Sequence, residues 1–116
     1  MAISKDAVAT TANLTAANTT EGAGVKTVSV MQSTDIGVAV SGTFTATVTF
    51  EGTLDGTNWF AVPAVKSDGT QANNTTAPGV FQASVRGLKS FRAHCTAYTS
   101  GTAAVALLRS AESGLF

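Results

Sequence analysis

The chain has 116 residues, 44% hydrophobic and only 12% charged, and its seven Lys plus Arg offset seven Asp plus Glu to leave a formal net charge of zero. One domain is the expectation at this length, and neutrality argues against nucleic acid or an anionic membrane as partner, since both select for basic surfaces. No apolar run approaches the roughly 20 residues of a membrane-spanning helix. Cys95 is the single cysteine, which excludes an internal disulfide and a thiolate metal cluster within one chain. The first residues, Met1 to Asp6, lack the apolar stretch of a secretory signal.

Residues 1–24 are crowded with Ala, Thr and Asn, and Ile3, Val8 and Leu14 are their main large apolar groups. Such a segment buries too little surface to offset its own ordering entropy. It reads as an arm that orders on a neighbouring subunit, in preference to a disordered tail. Residues 25–116 carry the pattern of a folded domain. Val25 to Gln32 and Ile36 to Val40 both alternate, the latter through Ile36, Val38 and Val40. From Thr43 to Glu51 the alternation is strict: Phe44, Ala46, Val48 and Phe50 fall on one face and four threonines with Glu51 on or beside the other. Successive side chains of a strand point to opposite faces, so one face is expected in the core and the other carries a threonine ladder.

Asn58 to Val65 reads as a strand bearing Trp59, Phe60, Val62 and Val65, with Pro63 confining it to an edge or bending it there. Ser67 to Pro78 is polar and amide-rich and reads as a surface loop. Val80 to Arg86 puts Phe81, Ala83 and Val85 on one face. Phe91 to Tyr98 sets Phe91, Ala93, Cys95 and Ala97 against Arg92, His94, Thr96 and Tyr98. Thr102 to Arg109 is apolar through its middle and reads as buried on both faces. Between the strands stand Ser41-Gly42, Asp55-Gly56, Asp68-Gly69, Arg86-Gly87 and Ser100-Gly101, with glycines suited to the positive φ of tight hairpins. The expected fold is therefore all-β, a single-domain antiparallel β-sandwich of seven to eight strands. Its predicted core includes Phe44, Val48, Phe50, Trp59, Phe81, Phe91 and Cys95, and its turns Asp55, Gly56, Asp68, Gly69 and Gly101. The ending Ser113-Gly114-Leu115-Phe116 presents two large apolar groups. Ile3, Val8, Leu14, Leu115 and Phe116 are accordingly the candidate interface to further copies or to a larger shell.

Catalytic constellations are hard to assemble from these residues. His94 and Cys95 are adjacent on a strand and face opposite ways, which denies them the hydrogen-bond reach of a nucleophile and its base. Glu51, Asp55 and Asp68 lack the spacing of a calcium loop, and the two aspartates precede glycines as turn formers do. Gly22-Ala23-Gly24 and Gly52 lack the lysine and helix of a phosphate cradle. No catalytic, cofactor or metal site is expected, and no enzyme. The sequons at Asn13, Asn18, Asn73 and Asn74 are a by-product of threonine richness.

One set of segments resembles a known family. Phe50-Glu51-Gly52-Thr53-Leu54-Asp55-Gly56-Thr57-Asn58-Trp59 is followed by Gly79-Val80-Phe81, by Gly87-Leu88-Lys89-Ser90-Phe91-Arg92 and by Thr96-Ala97-Tyr98-Thr99-Ser100-Gly101-Thr102-Ala103-Ala104-Val105. From Val38 to Arg109 the chain resembles the small β-sandwich modules of tailed-bacteriophage structural proteins, above all the capsid decoration, or cement, proteins. The resemblance implies a jelly-roll-like or immunoglobulin-like sandwich without enzymatic residues, with Phe50, Asp55 and Gly56 in a hairpin, Trp59 and Phe91 on the core, and Gly101 between the last two strands. It further implies a virion protein on the capsid surface, made in the bacterial cytoplasm, whose partners are the major capsid protein and copies of itself, as a trimer in preference to a dimer. The alternative is a tail, baseplate or fibre module that binds host-surface carbohydrate through Trp59, Tyr98, Asn73 and Asn74. On this reading the arm is dispensable for folding, and removing residues 1–20 is expected to weaken assembly alone.

Overall fold

The computed structural model describes residues 9–109. Two antiparallel sheets face each other as a sandwich, and no helix occurs among the described residues. The strands are β1 (Thr10–Leu14), β2 (Val25–Ser29), β3 (Asp35–Ser41), β4 (Phe44–Thr53), β5 (Trp59–Ala61), β6 (Ala64–Lys66), β7 (Gln71–Ala72), β8 (Asn74–Thr75), β9 (Gly79–Ser84), β10 (Ser90–Gly101) and β11 (Ala103–Arg109). The first sheet has the order β1-β11-β3-β9-β6-β7; the second has β2-β10-β4-β5, with β8 also pairing to β4.

Eleven strands stand where seven to eight were expected, and each addition has a local cause. The predicted strand from Asn58 to Val65 is two strands in different sheets. β5 pairs with β4, β6 pairs with β9, and Val62-Pro63 carries the chain across the sandwich between them. Proline lacks the N–H that a continuing ladder would need, so the strand ends there. The polar loop from Ser67 to Pro78 contains β7 and β8, two-residue strands too short to show a period.

The N-terminal segment departs most from expectation. Thr10–Leu14 is no arm laid on a neighbour: it pairs residue for residue with β11 of its own chain, from Thr10 opposite Leu107 to Leu14 opposite Ala103. Leu14 is fully buried in the core and so leaves the candidate interface. The expected boundary at residue 24 thus falls after the fold has begun. Ile3, Val8, Leu115 and Phe116 lie outside the described residues.

The inward faces meet in one cluster. Phe50 of β4 is fully buried, with its ring centroid 5.0 Å from that of Phe81 on β9 and 6.5 Å from that of Phe91 on β10. Val48 and Cys95 lie opposite each other on β4 and β10, both fully buried. Burial pushes the Cys95 thiol up, and its Sγ donates to the Ala97 carbonyl at 3.3 Å. Phe44 is only half-buried and packs on the margin of the cluster. β11 buries one face, through Ala103, Val105 and Leu107, while Ala104 and Ala106 are half-covered and Leu108 is exposed. Its continuous apolar run is therefore a one-sided strand with alanines turned outward, not the doubly buried strand expected.

The glycine turns divide by what precedes them. The two Asp-Gly pairs close hairpins within a sheet, β4–β5 and β6–β7. Asp55 caps the first of these: its Oδ1 accepts the backbone N–H groups of Asn58 and Thr57, each at 2.8 Å, and its Oδ2 accepts from the Asn58 amide. Those donors hold its carboxyl well below the usual range, because they favour the charged form. Asp68 is likewise held down by the Thr70 N–H at 2.9 Å. Ser41-Gly42, Arg86-Gly87 and Ser100-Gly101 instead carry the chain from one sheet to the other. Gly101 has φ 86° there, and a Cβ on it would collide with the Thr43 carbonyl.

Candidate functional site

With the interior filled by the core, the broadest surfaces among the described residues are the two outer sheet faces. On the second sheet the outward positions of β4 and β10 place Glu51 opposite Arg92 and Thr49 opposite His94. One carboxylate oxygen, Glu51 Oε1, accepts from Arg92 Nε at 2.7 Å and contacts His94 Nδ1 at 3.0 Å, the ring donating when that nitrogen carries the proton. These side chains are only 14–16% exposed. The Arg92 guanidinium carbon lies 4.1 Å from the centroid of the Trp59 ring. Stacking a cation on an indole face is worth about 0.5–1 kcal/mol at exposed sites and more when desolvated. Trp59 is therefore a half-buried member of this surface cluster, not the core residue the sequence suggested.

The cluster spends its polar capacity internally. One Glu51 oxygen is held by the Arg92 guanidinium and contacts His94, and one face of the indole is occupied, so that face is no sugar platform. Tyr98 does not join Trp59. β10 shifts register against β4 between Cys95 and Ala97, so that Ala97 lies opposite Thr47 and Tyr98 opposite Ala46. A bulge of one residue exchanges the faces of the side chains beyond it, here Ala97 and Tyr98, until a second shift between Tyr98 and Ser100 restores the alternation. Ala97 thus turns out and Tyr98 turns toward the core, the reverse of the unbroken alternation; the Tyr98 hydroxyl donates to the Gly101 carbonyl at 2.8 Å. Asn74 sits beside Thr49 at the sheet edge, and Asn73 lends its carbonyl to the Phe50 N–H. The four residues considered for carbohydrate do not converge.

The outer face of the first sheet has a different character. β11 contributes Ala104, Ala106 and Leu108, and β3 contributes Gly37, Ala39 and Ser41. β9 adds Val80 and Gln82, β6 adds Val65, and Thr11, Asn13 and Gln71 lie on the flanking strands. Asp35, at the start of β3, is the one charged residue among these outward positions. Val80 is 57% exposed, and Val65 and Leu108 are 45% exposed each. A six-stranded face with so little charge and three protruding aliphatic groups is what association surfaces look like, since their buried centres are depleted in charge. The sequence hid this face because its residues come from five separated segments and its alanines read as core.

No protein-family model matches the chain, and a search of curated proteins finds no match. Among solved structures, the fold is similar to that of the SPBc2 prophage-derived protein YomS, with a TM-score of 0.68 and 16% identity over 95% of this chain and 100% of that one. It is also similar to the PBSX exported protein XepA, with a TM-score of 0.69 and 20% identity over 93% of this chain and 40% of that one. At such identities the likeness is one of fold.

Proposed function

We propose that the chain is a non-enzymatic structural protein of a bacteriophage particle, a decoration or cement protein that binds the outside of the capsid in many copies and reinforces it. The observation that carries the proposal is the overlap of the sandwich with the whole of a prophage-derived protein. The nearly uncharged face of the first sheet supports it. Flat surfaces of Thr, Ala, Ser and Val have little side-chain entropy to lose when immobilised, which suits broad contacts repeated over a lattice. Individually weak contacts become durable when an assembly of copies engages several capsid subunits at once. Its partners on this reading are further copies of itself and the major capsid protein, and its place is the capsid surface. The arrangement around Trp59 counts against the carbohydrate alternative.

Immunogold electron microscopy of particles from a culture in which the encoding phage multiplies tests the proposal. The expected result is label distributed over the whole head. Label confined to the tail, or particles without label, would overturn it.

A further inference from the structure

The outer face of the first sheet shows a lateral asymmetry that its pairing registers make explicit. One row of outward side chains crosses it as Leu108, Gly37, Gln82 and Val65, and the neighbouring row as Ala106, Ala39 and Val80. In the central strands the β3 side of each row carries the small residue, Gly37 or Ala39, and the β9 side the larger one, Gln82 or Val80. We propose that this face is a self-complementary interface with a second copy of the chain, the two sheets stacking about a two-fold axis that runs along the strands between β3 and β9.

Rotation by half a turn about that axis preserves the rows and exchanges the halves. Val80 then lies over Ala39 of the partner subunit, Gln82 over the partner's Gly37, and Leu108 over the partner's Val65. Bulk meets space in the central positions, and the outer pair is aliphatic on aliphatic. Such a contact is isologous, so it closes on itself and leaves the second sheet free. Charge agrees: a face whose outward strand positions hold one charged residue brings few like charges together when doubled.

Size agrees as well. Six strands spaced about 4.8 Å apart, at about 3.3 Å per residue over some five residues, span a plane of roughly 450–500 Å². Counted on both copies this is about 1,000 Å², where specific interfaces begin. Stacked sheets pack about 10 Å apart, which side chains of these sizes can fill. The inference rests on the shell-binding reading for its context, names the contact between copies, and replaces the three-fold arrangement implied by family resemblance with a two-fold one.

The test is the mass in solution, by sedimentation, of the full chain and of Val80→Lys and Leu108→Glu, with circular dichroism confirming that each variant is folded. The expected result is a two-chain mass for the unaltered protein and a one-chain mass for both variants, because each strands a charge in a dry contact. A second measurement does not depend on those variants. Chains bearing Leu108→Cys are mixed with chains bearing Val65→Cys, with buried Cys95 left in place, and treated with a short bismaleimide. Across the axis these two positions lie directly over each other, but each is about 14 Å to the side of its own copy. The mixture is expected to cross-link more completely than either chain alone. An unaltered protein that stays single at every concentration, folded variants that keep the two-chain mass, or a mixture no better than its parts would each overturn the pairing. A single chain that nonetheless labels phage heads refutes the pairing and spares the shell reading; a paired chain absent from particles does the reverse.

Discussion

Phe50→Ala is expected to lower the unfolding free energy by about 3–5 kcal/mol, the cost of truncating a buried aromatic residue and leaving the space partly unfilled. The ring is fully buried and is the one that meets both Phe81 from the first sheet and Phe91 beside it in the second. A domain of this size has about 5–15 kcal/mol in total, so the variant should sit near the edge of folding. Urea denaturation followed by circular dichroism measures the loss, and Phe50→Leu gives a milder step if the alanine variant does not fold. A loss below 1 kcal/mol for Phe50→Ala would mean that the sheets are not held together at this point.

Deleting residues 1–20 should cost at least as much as Leu14→Ala alone, about 2–5 kcal/mol by the range for buried Leu truncations. The deletion removes β1, whose five residues pair with β11, and takes Leu14 out of the core. It also removes the Thr20 carbonyl, which accepts from the N–H groups of Ala23, Gly24 and Val25 and closes the turn into β2. β11 would become an open edge, so the truncated chain should also aggregate. A comparison of the urea midpoints of the deletion, Leu14→Ala and the full chain decides the matter. A deletion with the stability of the full chain would restore the separable arm that the composition suggested.

That reversal shows where the sequence is legible. β3, β4, β9 and β10 stand out because large apolar side chains alternate with small or polar ones over six or more residues, a signal that needs only one strand. β1 offers Thr-Thr-Ala-Asn-Leu, in which Leu14 alone is large, so its inward face looks like composition bias. The two register shifts in β10 are equally invisible: nothing in Cys95-Thr96-Ala97 marks the extra residue that turns Tyr98 inward. The surface cluster was missed for a related reason. Glu51, Trp59, Arg92 and His94 become neighbours only through the pairing of β10 with β4 and β4 with β5, and register is a property of two strands. Strand reading and family resemblance both assigned Trp59 to the core, and neither had the register that places it beside Arg92. The nearly uncharged face of the first sheet asks for the registers of β1, β11, β3, β9, β6 and β7 together.

The account rests on association through surfaces that carry almost no charge, and salt separates that from association through ion pairs. Above about 1 M salt the screening length falls to about 3 Å, which removes most of the attraction between exposed charges and leaves apolar contact intact. Sedimentation of the unaltered chain at low salt and at 1 M sodium chloride is therefore the most direct measurement. The account predicts the same assembled mass, two chains or a multiple, at both salt concentrations. Dissociation to single chains as salt is raised would contradict it.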